Sequence, residues 1–180
     1  MEDLSLHILD IVENSINAGA HNVSILIDED VVHDLLTIEI ADDGKGMSAE
    51  VAEKAADPFY TTRTTRRIGM GLALFKEAAA IANGTTEIRS VPNSGTTIKA
   101  TFQLGHIDRK PIGNMADTIT ALITNEAEVD ILYKHTRDRE QVIFDTRHVQ
   151  DQLGDILLNS VEALSLVRNY LVQEETRLAQ

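Results

Sequence analysis

Residues 7–20, HILDIVENSINAGA, constrain the fold more than any other stretch of this chain. Read at about 3.6 residues per turn, Leu4, Ile8 and Ile11 fall on one side of a helix, and Leu9, Val12 and Ile16 on another. Apolar flanks of that width imply burial over most of the circumference. Between them run His7, Asp10, Asn14 and Asn17, stacked along one stripe. Gly19 stands where a C-terminal cap belongs. The stripe faces either water or a ligand, and the segment alone leaves both open.

The chain downstream supplies the elements for a sheet. NVSILID (22–28) and LLTIEIA (35–41) read as strands joined by EDVVHD. DDGKGM (42–47) is a glycine-bearing turn, and Ser48 can cap a short helix over AEVAEKAA. DPFYTTRTTRRIGMG (57–71) has no clean period and reads as a loop, followed by a helix over 72–83 stopped at Gly84. TEIRSV and TTIKATFQL form two more strands around the turn PNSG. This order predicts an α/β sandwich, a mixed sheet covered by helices on one face.

Beyond Leu104 the texture changes, which divides the chain into residues 1–104 and a C-terminal α/β appendage, residues 105–180. GHIDRKPIGN reads as a connector, MADTITALIT as a helix, and VDILYKH and EQVIFDT as strands joined by TRDR. A long helical pattern runs from about Arg147 to the end, bent at Gly154. Leu153, Leu157, Leu164, Val167 and Leu171 form an apolar seam along it, which docks either on the main body or on a second copy. The match between DILLNSVEA (155–163) and DIVENSINA (10–18) reads as coincidence between two amphipathic helices.

Composition narrows the function. There is no Cys, which excludes disulfides and thiolate metal sites. With three Tyr, four Phe and no Trp, aliphatic side chains must fill the core. No apolar run reaches the roughly 20 residues of a membrane helix, and the acidic start is no signal peptide, so a cytoplasmic protein is expected. A net charge of −13 argues against general nucleic-acid binding. An anionic ligand must then be met locally. Arg63, Arg66 and Arg67 form the one dense basic cluster, either a solvated loop or an anion site.

ADDGKGMSA fits the dinucleotide pattern G-x-G-x-x-A, but Asp42 and Asp43 sit where a pyrophosphate would approach, and no strand–helix–strand pattern follows. No G-x-x-x-x-G-K-[ST] loop is present, and the six His show no metal-ligand spacing. A different arrangement uses more residues. A carboxylate at a strand end can accept a hydrogen bond from an adenine amino group, with Gly44 and Gly46 letting the backbone approach the base. Gly69 and Gly71 precede a helix whose N-terminus offers free N–H groups to phosphate, with the Arg cluster just before it. Asn14 could hold Mg²⁺ through its amide oxygen, and Asp10 could orient a water or a substrate hydroxyl.

These residues resemble the GHKL superfamily, the ATP-binding fold of gyrase B subunits, HSP90, histidine kinases and MutL. DIVENSINAGA is similar to its N-box, DDGKGM to the first glycine box, RRIGMGLAL to the second and SGTTIKATFQL to the final glycine–threonine box. DPFYTTR is similar to the phenylalanine box of histidine kinases. The resemblance covers about residues 1–104 and implies a Bergerat-type sandwich binding Mg·ATP. Carried over by motif, it implies Asn14 as Mg²⁺ ligand and Asp42 as adenine ligand. Gly44, Gly46 and Met47 would line the base pocket, and Gly69, Met70, Gly71 and Leu72 the phosphate turn, with Thr96 or Thr97 supporting Asp42. One position departs from the pattern. Where several branches place a catalytic Glu, this chain has Asp10, one methylene shorter, which implies slow hydrolysis.

Residues 105–180 leave no room for the transducer domain of gyrase, MutL or HSP90, and a freestanding module is expected. Its analogues are anti-sigma-type serine kinases and detached histidine-kinase catalytic domains. Two functions follow: a regulatory protein kinase or slow ATPase acting on a partner protein, or a nucleotide-gated binding module without phosphoryl transfer. Either allows a homodimer through the C-terminal helix.

Overall fold

A computed structural model describes residues 3–55, 70–125 and 128–180. Helix α1 (Leu4–Asn17) is followed by strands β1 (Asn22–Asp30) and β2 (Leu35–Asp42), then α2 (Ala49–Ala55) and α3 (Met70–Ile81). Strands β3 (Thr86–Val91) and β4 (Gly95–Gln103) precede α4 (Met115–Asn125), β5 (Asp130–Arg137), β6 (Glu140–Asp145), α5 (Thr146–Leu153) and α6 (Val161–Leu178). The six strands form one mixed sheet in the order β3-β4-β2-β1-β5-β6. Among the described residues its one parallel pair joins β5 to β1, in register from Asn22 opposite Asp130 to Glu29 opposite Arg137. The C-terminal strands therefore extend the sheet begun by the N-terminal ones.

The strands alternate as a half-covered sheet requires. Ile25 and Ile27, Leu36, Ile38 and Ile40, and Ile98, Ala100 and Phe102 point into the core under the helices. The opposite face carries a row of Glu87, Lys99 and Glu39 in direct register. Aliphatic side chains dominate the core, joined by the Phe75 and Phe102 rings, 5.7 Å apart and edge-on.

Helix ends follow local chemistry. Asp3 caps α1 by accepting from Leu6 N–H. At the other end Gly19 takes φ +82°, and Gly19 N–H and Ala20 N–H donate to Ile16 and Ser15 carbonyls, the double turn that a left-handed residue makes possible. In α3 the expected stop at Gly84 is displaced. Asn83 is the left-handed residue, at φ +55°, and Gly84 is needed because a Cβ there would lie 1.7 Å from the Thr101 carbonyl oxygen.

The long C-terminal helix is two helices. Gly154 at φ +61° ends α5, and Ser160 starts α6 by accepting from Ala163 N–H at 3.3 Å. The segment 154–160 between them is not helical, so the echo of α1 in residues 155–163 is not shared structure. The apolar seam docks within the chain: Val167 and Leu171 are buried, while Leu157, in the link, is 68% exposed. A buried polar cluster locks α6 to the sheet. His135 bonds Glu29 through Nε2 (3.0 Å) and Glu175 through Nδ1 (2.8 Å). The Tyr133 hydroxyl donates to Glu175 (2.7 Å), and Arg137 to Glu29 (3.1 Å).

Candidate functional site

Asp42 is the last residue of β2 and points to the helix-covered face, toward α1. Its two oxygens are held from opposite sides: Ser15 Oγ donates to Oδ2 at 2.6 Å, and Gly44 N–H to Oδ1 at 2.9 Å. The neighbouring Asp43 has a different job. It accepts from His21 N–H, Asn22 N–H and Asn22 Nδ2, all at 2.8 Å, which pins the turn after α1. Those bonds, the Asn22 side chain first, hold its carboxyl below the usual range. Of the two adjacent carboxylates, Asp42 is thus the one oriented at the helix that carries the polar stripe.

The glycines around it answer to close approach. A Cβ on Gly44 would lie 3.1 Å from Asp42 Oδ1 and 3.2 Å from the Ala18 carbonyl. Gly46, at φ +60°, lies against the β3–β4 hairpin: a Cβ would sit 2.0 Å from the Val91 carbonyl oxygen. Asn93 N–H donates to the Lys45 carbonyl, and Met47 N–H to Ser90 Oγ, so this turn and the hairpin are laced together. Backbone packing by itself requires a glycine at position 46. On the hairpin, Gly95 at φ +92° meets the β2 end, where a Cβ would stand 1.9 Å from the Asp42 carbonyl oxygen.

Thr96 is the register partner of Asp42, and its hydroxyl shares a 2.8 Å bond with Ser90 Oγ. Thr97 is a correction. Strand alternation puts it on the opposite face, where it lines a cavity of about 220 Å³ with Glu39, Glu87, Arg89, Lys99, Thr85 and Thr101. It does not reach Asp42. The support for that carboxylate comes instead from Ser15, which the sequence reading passed over; its signal was a hydroxyl directly after Asn14, in phase with the buried residues of α1.

The polar stripe of α1 divides. Asp10 and Asn14 are half-buried one turn apart, and among the described residues neither side chain is engaged in a hydrogen bond. Burial raises the Asp10 carboxyl above its ordinary value. The stripe does not continue past this pair. His7 is fully buried, and Asn17 turns its amide back to the Glu13 carbonyl at 2.6 Å. The first turn of α3 packs directly on Asp10: a Cβ on Gly71 would lie 2.7 Å from Asp10 Cβ and 2.9 Å from its Oδ2. Leu72 follows, half-buried against the core. Met70 opens α3, while Arg63, Arg66, Arg67 and Gly69 lie outside the described residues.

An Asp and an Asn uncommitted one turn apart, an oriented carboxylate at a strand end, and a helix with Gly71 in its first turn stand in the order of the family boxes. The family profile described as histidine kinase-, DNA gyrase B-, and HSP90-like ATPase matches residues 2–106. The chain belongs to that family. As a GHKL protein it is similar to the non-motile and phage-resistance protein of Caulobacter vibrioides, 31% identical over 112 residues, 57% of this chain and 13% of that protein. It is likewise 31% identical to the sensor histidine kinase YvrG of Bacillus subtilis over 103 residues, 52% of this chain and 17% of that one. This GHKL chain therefore spans less than a fifth of the length of either relative. Among solved structures, the N-terminal domain of a DNA repair protein superposes with a TM-score of 0.57 at 15% identity, over 88% of this chain and 59% of that one. The Aquifex aeolicus MutL ATPase domain complexed with ADP gives 0.51 at 17%, over 81% and 63%. These two likenesses show the GHKL fold. Among the described residues of this member, no helix is long and apolar enough to cross a membrane.

Proposed function

We propose that this GHKL domain binds Mg·ATP at the Asp42–Asn14–α3 site and serves as a regulatory protein kinase or slow ATPase acting on a partner protein in the cytoplasm. The observation that carries this is the Asp42 carboxylate, fixed by Ser15 and Gly44 with lone pairs left over for the amino group of an adenine. Asn14, with its amide uncommitted, is the residue that would hold Mg²⁺; a single protein ligand suits an ion that keeps phosphate oxygens and water around it. Bound there, the ion would neutralise phosphate charge. Asp10 takes the proton of the attacking oxygen, whether of water or of a partner's hydroxyl, as that oxygen bonds the γ-phosphorus and ADP leaves. Its raised carboxyl suits a base working closer to neutral pH. The outer side of α6, with Leu166 and Tyr170 exposed, is the surface this reading leaves for a partner or a second copy.

A second reading, a nucleotide-gated module without transfer, is favoured by the short reach of Asp10 and by the C-terminal segment that runs back onto α1. One experiment separates them. Purified protein is mixed with γ-labelled ATP, Mg²⁺ and host-cell extract, and the label is followed by gel. Label on a partner band, lost in Asn14→Ala, supports the kinase. ATP binding with no labelled protein and no released phosphate supports the gated module, and no ATP binding overturns both.

A further inference from the structure

The connector between β4 and α4, residues 104–114, runs back to the start of α1. Leu4 N–H and Ser5 N–H, which a helix start leaves without internal partners, donate to the Pro111 and Ile112 carbonyls at 2.9 and 2.7 Å. Arg109 clips the connector from within, through Nε to the Leu104 carbonyl (2.6 Å) and Nη1 to the Lys110 carbonyl (2.9 Å). The Lys110 backbone is thereby fixed against α1, and its ammonium lies 3.3 Å from His7 Nε2.

His7 is fully buried, its ring 6.0 Å from that of Phe75 on α3. Burial first, and then the Lys110 ammonium, push the imidazole down to about 4, so it is neutral at neutral pH. A neutral ring facing an ammonium offers its lone pair at Nε2 and carries its proton on Nδ1. That Nδ1 is buried and, among the described residues, makes no hydrogen bond. The Gly71 backbone, in the first turn of α3, lies toward the same ring and opposes the downward shift. Gly71 is also the residue packed on Asp10.

We propose that Lys110 and His7 form a positioning pair for the first turn of α3, through which the connector to the C-terminal half sets the phosphate half of the nucleotide site. The inference rests on the nucleotide reading above. Lys110 fixes the tautomer; the orphan Nδ1–H then has one near backbone acceptor, the Gly71 carbonyl, reached by a small advance of α3 toward α1. The base half of the site, at Asp42 and Ser15, takes no part.

The test compares Mg·ATP binding by calorimetry with adenosine binding by NMR titration, since adenosine reports the base half alone. Lys110→Met is expected to lose roughly tenfold in Mg·ATP affinity, the size of one lost polar partner, with adenosine affinity within about twofold of wild type. His7→Phe keeps the ring packing without the Nδ1–H and is expected to match it, while Lys110→Arg restores Mg·ATP binding. A Lys110→Met protein that binds both ligands as wild type does, or loses both in proportion, overturns the pair. A wild-type protein that binds neither ligand overturns the nucleotide reading, and this inference with it.

Discussion

Ser15 and Asp42 stand 27 positions apart in the chain and share a 2.6 Å hydrogen bond that ties α1 to the end of β2. The bond aims the carboxylate and so couples packing to recognition. Ser15→Ala is expected to lower ATP affinity roughly tenfold, since bonds to charged acceptors are worth about 1.5–3 kcal/mol. Asp42→Asn, which replaces an acceptor by a donor, is expected to abolish binding. Calorimetric titration of both variants checks this; a Ser15→Ala protein with wild-type affinity would show that Gly44 alone orients the group.

Asp10 and Gly71 make the second contact that sequence spacing could not show. Asp10→Asn is expected to slow phosphate release by about 10²-fold with ATP binding retained, the lower range for losing a general base. Asp10→Glu is expected to raise turnover, and unchanged turnover in that variant would count against Asp10 as the base. Gly71→Ala places a methyl 2.7 Å from Asp10 Cβ and is expected to displace α3, weakening binding and turnover together. Steady-state phosphate release beside ATP titration separates the three.

Two glycines with positive φ are expected to respond very differently to Ala. At Gly95 the new Cβ meets the Asp42 carbonyl oxygen at 1.9 Å, and overpacking adds to left-handed strain, a loss on the order of 3 kcal/mol. At Gly19 nothing lies within 4 Å, leaving strain alone, about 1 kcal/mol. Urea unfolding of the two variants reads the difference directly; equal losses would assign the whole effect to φ.

His135 and His7 are expected to give the stability curve opposite limbs. Burial lowers the His135 pKa, but Glu175 and Glu29 outweigh it and hold the imidazolium to about 9. Its contribution is whole below the unfolded value of 6.5 and is lost as pH rises through about 9, a change on the order of 3 kcal/mol. Held at about 4, His7 contributes fully above 6.5 and loses that contribution as pH falls. Stability should therefore peak near pH 6.5, and His135→Gln should flatten the alkaline limb. Chemical unfolding from about pH 5 to about pH 10 tests the shape; an alkaline limb unchanged in that variant would place the titration elsewhere.

Local periodicity made α1, β1 and β2, α3 and the two later strand pairs legible, because each buries one face with the spacing its geometry demands. The family boxes drew attention to Asp10, Asn14, Asp42 and Gly71, and the fold brings Gly71 against Asp10 and Asp42 against the helix that carries Asn14. What periodicity could not carry was anything decided across the chain. Thr96 and Thr97 are adjacent and chemically alike, and only the pleat of β4 separates the one facing Asp42 from the one on the opposite face. Gly46 and Gly84 each lie against a neighbouring carbonyl from a distant part of the chain, a requirement no local pattern shows. The break before α6 rests on Gly154 and Ser160 outweighing a leucine seam that spans them. His135 draws its partners from β1 and α6, 106 and 40 positions away, beyond any motif window.

The parallel pairing of β5 with β1 has a consequence for how the protein is made. Glu29 meets Arg137 108 positions later, so β1 leaves the ribosome with one edge open. At roughly 5–20 residues per second, that edge waits between about five and twenty seconds for its partner. Both glycine boxes and the glycine–threonine box emerge during that interval, before the sheet they sit on is closed. A nascent chain of this kind is exposed to strand-edge pairing with its neighbours until β5 has emerged to cover β1.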